Sequence, residues 1–361
     1  MSARHSVLKR LHIDGFILAL LATVVVASLL PARGVFVDIL HWVTVVAIAL
    51  LFFLYGTRMA PREALAGLRH WRLHLTILVF TFVVFPLIGL ALRPLVEPTL
   101  GTTLYYGVLF LCLVPSTVQS SIAFTSIAHG NVAGAIVSAS ASNLLGVFLT
   151  PLLVVALMGT SGDVHISASS VLTIVVEILV PFIVGQLARP WLGGWLSKHA
   201  QSTKLVDRGS IVLVVYSAFS EGVRDGIWSQ VSWWKIVALI VGAIVLVAFM
   251  LWLTSFTARR LRFDRPDGIA IQFCGTKKSL ASGLPMAAVL FAGTDVGMIV
   301  LPLMIFHQVQ LMMCAWLAGR YDRQWQERAL SRARAAENDG AAAQDGAVGE
   351  HGIAEQNGAA D

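Results

Sequence analysis

Apolar runs long enough to cross a lipid bilayer recur from residue 12 to residue 319, and no other feature restricts the fold so tightly. Hydrocarbon offers no partner to a backbone N–H or C=O, so a chain that crosses it does so as helices or as a closed barrel. Runs of about 20 residues suit helices, since a tilted barrel strand needs only about ten. Hydrophobic residues make up 57% of the chain, charged residues 13%, and the mean hydropathy is +0.78, which lies outside the range of soluble domains. The expected fold is an all-α integral membrane protein of about ten transmembrane helices, near 12–31, 37–56, 73–92, 104–128, 131–158, 169–188, 206–222, 233–256, 268–291 and 296–319. Arg4, Lys9 and Arg10 precede a first run that is itself long enough to span, so it reads as a retained helix rather than a signal peptide.

The net charge of +6 does not mark a nucleic-acid binder, because the basic residues fall in short loops between apolar runs. With a cytoplasmic N-terminus, Arg58, Arg62, Arg69, Arg72, Arg189, Lys198, Lys204, Arg208, Arg259, Arg260, Arg262 and Arg265 fall inside, together with the arginines from Arg320 to Arg334. Only Arg33, Arg93, Arg224 and Lys235 fall outside. One missed helix would scramble this bias, so it supports ten spans in a plasma or bacterial inner membrane, with both termini cytoplasmic. Residues 1–11 form a cytoplasmic N-terminus, and residues 320–361 a mostly disordered cytoplasmic tail whose last part is too polar to bury a core.

Ten helices divide into two sets of five, 12–158 and 169–319, with the same order of features. Gly107 to Ser121 opens apolar, breaks at Cys112 to Pro115 and turns polar; Gly268 to Ser279 opens apolar, breaks at Cys274-Gly275 and turns polar. A repeat of five helices must insert upside down relative to its copy, the inverted-repeat plan of many transporters, and matched interruptions point to a binding site.

The interruptions carry the polar chemistry. Thr117, Gln119, Ser120 and Ser121 follow Pro115, and Ser138 and Ser142 share a helix face beside Asn143. Lys277 and Lys278 lie in the middle of a span. A lysine at that depth costs about 2.5 to 3.5 kcal/mol, so something must compensate the pair. In a hydrated crevice they would attract an anion or stand where a coupling cation would bind; as residues of a loop they would snorkel to an interface. Glu177 and His307 are the titratable candidates for a proton or cation relay. His70 and His74, spaced like a metal pair, sit among Arg69, Trp71 and Arg72 and read as interface anchors. The three cysteines form no zinc or disulfide pattern, and no ATPase or hydrolase signature is present, so transport would be driven by gradients.

The run Phe273-Cys-Gly-Thr-Lys-Lys-Ser-Leu-Ala281 resembles the bile acid:sodium symporter family, and most closely its bacterial-type SBF-like subgroup. Arg69 to Leu75, Val180 to Gln186 and Tyr216 to Glu221 extend the likeness. The resemblance implies a panel of helices 1, 2, 6 and 7 facing a core of helices 3, 4, 5, 8, 9 and 10, with broken helices 4 and 9 crossing at the ion sites. It places the sodium-binding pair of helix 4 on Ser120 and Ser121, the hydroxyl ligands of helix 5 near Ser138 and Ser142, and the Glu and Gln of helix 9 on Gln272 and Thr276. The family carboxylate is therefore missing and two lysines stand beside its position, so the ion site is expected to be replaced by lysine or weakened for sodium. The expected function is secondary transport of a small organic anion held by Thr117, Gln119, Asn143, Lys277 and Lys278, with no cofactor other than sodium. The rival reading is a non-transporting membrane regulator or receptor that keeps the fold.

Topology follows from the charge bias. Reporter fusions at Arg62, Lys198, Arg262 and Arg328 are expected to report the cytoplasm and fusions at Asp163 and Asp225 the opposite side. A C-terminal reporter on the outside would refute an even number of spans.

Overall fold

The computed structural model describes residues 15–58, 70–158, 175–224, 226 and 232–357, and these are helical with no strand among them. In chain order the helices are α1 (Gly15–Leu29), α2 (Val35–Arg58), α3 (Trp71–Ala91), α4 (Arg93–Leu100), α5 (Thr102–Leu113), α6 (Gln119–Ile127) and α7 (Val132–Met158). They continue as α8 (Val175–Lys198), α9 (Ala200–Arg224), α10 (Trp233–Arg260), α11 (Arg265–Thr276), α12 (Leu280–Leu290) and α13 (Val296–Asn357). Among the described residues, six helices are long and apolar enough to cross a membrane: α2, α3, α7, α8, α10 and α13. Many of their large apolar side chains face outward, including Trp42, Trp191, Trp233 and Trp316, as a chain solvated by lipid requires.

The two expected interruptions are real breaks. The run expected at 104–128 is two pieces, α5 of 12 residues and α6 of 9, joined by a short non-helical segment. The run expected at 268–291 is likewise α11 of 12 residues and α12 of 11. Twelve helical residues rise about 18 Å, well short of the roughly 30 Å apolar thickness of a bilayer, so each piece is too short to span alone. The calls for residues 1–11, most of the loop after α2 and the loop 159–168 lie outside the described residues. Two boundaries move: α8 reaches Lys198 and α9 starts at Ala200. The backbone of α13 stays helical to Asn357 where composition predicts a disordered tail. After Pro302 the chain has no proline, the strongest helix breaker, although Gly340, Gly346, Gly349 and Gly352 each disfavour a helix.

The helices pack as two groups. In one, α1, α2, α8 and α9 lie side by side, with the closest association between α2 and α8. In the other, α10 packs on α11 and α13, α5 packs on α13, and α7 packs on α3, α6 and α11. Glycine sets the α2–α8 contact: a Cβ on Gly56 would strike the Phe182 carbonyl oxygen, and one on Gly185 the Phe53 carbonyl oxygen. Backbone meets backbone there, the close approach that small residues allow between helices in lipid. Tyr216, Ser220 and Arg224 of α9 tie down the α1–α2 loop, with the Tyr216 hydroxyl donating to Leu30 O at 2.8 Å and Ala32 N donating to Ser220 Oγ at 2.6 Å. Arg58 pairs with Asp207 between α2 and α9. Between the two groups, the Tyr55 hydroxyl reaches Ala281 O on α12 at 3.4 Å.

Gly185→Val is expected to lower stability by about 3 kcal/mol, because the obstacle is backbone and cannot swing away. Gly194→Ala, on the same helix with nothing within 4 Å of the added carbon, is expected to be neutral or stabilising. Thermal melting in detergent micelles checks both, and equal effects would remove the close contact as the cause.

Candidate functional site

The site is built where the two breaks cross. Pro115 has no N–H, so it cannot continue α5; the chain leaves the helix at Val114, φ −74° and ψ 155°, and residues 114–118 are non-helical before α6 begins. In the second break Lys277 and Ser279 take extended dihedrals, φ −90° and ψ 151°, and φ −84° and ψ 112°. The two breaks hydrogen-bond to each other and to the helix ends beside them: Ser279 N donates to Pro115 O at 2.8 Å, and Ser116 Oγ donates to Cys274 O, in the last turn of α11, at 2.6 Å. Each break thus supplies partners for backbone groups that the other leaves open, as hydrocarbon burial demands.

Helix α7 locks the crossing. Ser116 N donates to Ser142 Oγ at 3.0 Å, and Asn143 Nδ2 donates to Ser116 O at 2.6 Å. Asn143 Oδ1 accepts from Ser282 Oγ at 2.8 Å, so one amide holds both breaks. Ser279 caps the restarted helix, its Oγ accepting from Ser282 N at 3.2 Å.

The two lysines are both 0% exposed, which rules out snorkelling to an interface, yet their surroundings differ. Lys278 Nζ donates to Thr81 O at 2.8 Å, Cys112 O at 2.8 Å and Val114 O at 2.9 Å, and it lies 4.2 Å from the centre of the Phe85 ring. Its backbone is gripped as well: Lys278 N donates to Gln310 Oε1 at 2.8 Å, and Gln310 Nε2 donates to Lys278 O at 2.7 Å. Lys277 Nζ has no hydrogen-bond partner among the described residues. It sits 3.8 Å from the centre of the Phe124 ring and 5.9 Å from that of Phe273, a cation–π setting that attracts the charge without using its donors.

The carbonyls around Lys278 are free for identifiable reasons. Those of Cys112 and Val114 lie at the C-terminal end of α5, where the last carbonyls of a helix lack partners and the helix dipole is negative. That of Thr81 lies in a π-turn, Phe80–Val84, where each carbonyl looks to the N–H five residues on. For Thr81 that residue is Pro86, which has none.

Of the residues expected at the site, Ser142, Asn143, Lys277 and Lys278 meet at the crossing. Thr117, just before α6, bonds Ser120 and Ser121 in its first turn, at 2.9 and 3.1 Å from Thr117 Oγ1. His307 Nδ1 lies 2.8 Å from Gln310 Nε2, behind Lys278. Others turn elsewhere. Ser138 bonds His74 Nδ1 at 2.7 Å, so His74 faces helix α7. Thr276 faces Thr254, their hydroxyls 3.3 Å apart. Gln272 donates to Leu251 O and accepts from the Tyr321 hydroxyl, both at 2.9 Å. Gln119 is exposed, and Glu177, half-buried in a π-turn of α8, takes no part in the bonds of the crossing among the described residues. Thr81, Ser116, Ser282 and Gln310 were not expected as site residues; the signals for two of them were Pro86, which frees a carbonyl, and an amide placed one turn after His307.

These positions do not fit sodium. Sodium requires several oxygen ligands converging on one point, preferably with a carboxylate among them. The hydroxyls and amides at the corresponding positions are bound to one another or to other helices, and an ammonium fills the carbonyl cluster.

A multi-pass helical bundle with two half-length helix pairs crossing in its interior, their breaks sealed by polar side chains, defines a membrane transporter of the broken-helix class. Residues 14–323 match the SBF-like CPA transporter family, and the chain belongs to it. It is 52% identical over 322 residues to an uncharacterized protein of Pseudomonas aeruginosa, covering 89% of this chain and 97% of that one. It is 49% identical to YfeH of Escherichia coli, whose name carries the word symporter, over 87% of this chain and 95% of that one. It is also 29% identical to sodium/bile acid cotransporter 7-B of Xenopus laevis, over 85% of this chain and 91% of that one.

Asn143→Ala removes the amide that holds both breaks, and is expected to cost about 1 to 3 kcal/mol, since it leaves buried groups unpaired on two elements. Asn143→Asp keeps the acceptor toward Ser282 but loses the donor to Ser116, and is expected to destabilise as well. Melting curves of both variants check this; wild-type stability in Asn143→Ala would show that the breaks are held elsewhere.

Proposed function

We propose that the protein is a secondary transporter of a small organic anion, built as ten spans in two inverted five-helix repeats with both termini in the cytoplasm. The observation that carries the reading is the side-chain nitrogen of Lys277, fully buried at the crossing with no hydrogen-bond partner among the described residues. A buried charge with unspent donors calls for a counter-ion, and ionisable groups within membrane spans mark substrate and ion pathways. Lys278, whose donors are spent on backbone, is the weaker substrate contact. The α1, α2, α8 and α9 group corresponds to the panel, and the remaining long helices with the crossing correspond to the core. Lys277 is sealed in this conformation, so the anion reaches it when panel and core part, by alternating access. Thr117, Ser120 and Ser121, next to Phe124 on α6, are the hydroxyls placed to orient the anion once the crevice opens. Names among the relatives include sodium/bile acid cotransporter, which favours organic anions with an apolar body as first probes.

Uptake of labelled taurocholate and of short mono- and dicarboxylates into proteoliposomes tests the reading. The wild type is expected to take up at least one of them saturably. Lys277→Met is expected to lower uptake about tenfold or more, the loss of a charge-assisted contact, while its melting temperature holds or rises because a costly buried charge is gone. Equal uptake by wild type and Lys277→Met would remove Lys277 from the pathway, and no uptake of any anion by the folded wild type would refute the function.

A further inference from the structure

We propose that Lys278 is a tethered cation: its ammonium occupies a carbonyl cage that would otherwise bind a free monovalent cation, and so makes the crossing independent of sodium. The inference deepens the transport reading at the same site, and it rests on a separate observation, the coordination of one nitrogen.

Three carbonyl oxygens from two different elements, Thr81 of α3 and Cys112 and Val114 at the end of α5, converge on Lys278 Nζ at 2.8 to 2.9 Å. A neutral amine has two N–H groups and a lone pair, and would turn that lone pair against the third oxygen. Three acceptors around one lysine nitrogen therefore select the ammonium form. The Phe85 ring closes a further side at 4.2 Å, its negative face toward the charge.

Convergent backbone carbonyls replacing a hydration shell are how proteins hold bare monovalent cations. This cage has the same construction, with the cation attached to the chain through a four-carbon stem. Its oxygens would be unpaired without a cation, because helix α5 has ended and Pro86 supplies no N–H. The distances match an ammonium or an ion of potassium size, and are longer than sodium prefers. The grip of Gln310 on both backbone groups of Lys278 fixes the root of the stem, so the charge cannot leave as a free ion does. A transport cycle built on this crossing needs no free cation at the cage.

Cation replacement tests this. Wild-type protein in detergent micelles is expected to melt at the same temperature in sodium, potassium or N-methylglucamine chloride of equal ionic strength. Lys278→Ala, which opens the cage and the stem channel, is expected to melt lower by roughly 5 °C or more in N-methylglucamine chloride. It should recover most of that loss, saturably, in potassium, ammonium or ethylammonium chloride. Lys278→Met keeps the stem without the charge, so it is expected to melt low in every salt. Four results would each overturn the proposal: saturable stabilisation of the wild type by sodium, a Lys278→Ala protein that no cation stabilises, failure of Lys278→Ala to fold in every salt, or a Lys278→Met protein as stable as wild type. The readout needs no substrate, so anion uptake can fail while these results hold, and that outcome would sink the transport reading alone.

Discussion

The ammonium of Lys278 and its three carbonyl partners are the interaction on which the crossing depends. Stopping a helix halfway through hydrocarbon exposes backbone oxygens at the least tolerant depth in the protein. Two such oxygens lie at the end of α5, and a proline-freed oxygen of α3 lies beside them. A single positive charge satisfies all three at once, and it sits at the negative end of a helix dipole. The insertion cost of a lysine, taken alone, argues against its being there. The cost of three unpaired carbonyls argues for it, and the two costs offset each other.

Adjacent residues of the same type have come to different ends because the backbone between them is extended. In a helix, neighbours lie about 100° apart; in extended chain they point to opposite sides. Lys278 therefore faces α3 and α5, where carbonyls wait, and Lys277 faces Phe124 and Phe273, where none do. The break thus sorts two identical side chains into one whose donors are spent and one whose donors are open. A regular helix through residues 276–279 would have set them on neighbouring faces and lost that division.

What the sequence disclosed was whatever depends on a residue and its immediate neighbours. Hydropathy and the helix breakers beside Cys112 and Cys274 revealed spans and interruptions, and the lysines in mid-span announced that something unusual compensates them. What stayed hidden depends on partners far along the chain. Gln272 was placed at an ion site by motif register, but Tyr321, on another helix, takes its oxygen. Ser138 and Ser142 share a face by spacing, yet one finds His74 and the other the backbone of Ser116. The Thr81 carbonyl carries no mark of its own, since a backbone oxygen is present in every residue. Only Pro86, five residues on, betrays it, and only the fold brings Lys278 to it.

The bridging amide of Asn143 has a mechanical consequence. Its nitrogen holds the first break and its oxygen the second, and its stem is rooted in the long helix α7. Neither break can be displaced along the membrane normal without pulling on the other through a linkage three atoms long. Together with the direct bonds from Ser279 N to Pro115 O and from Ser116 Oγ to Cys274 O, it rivets the crossing, so that the two halves are coupled and a shift of one is felt by the other.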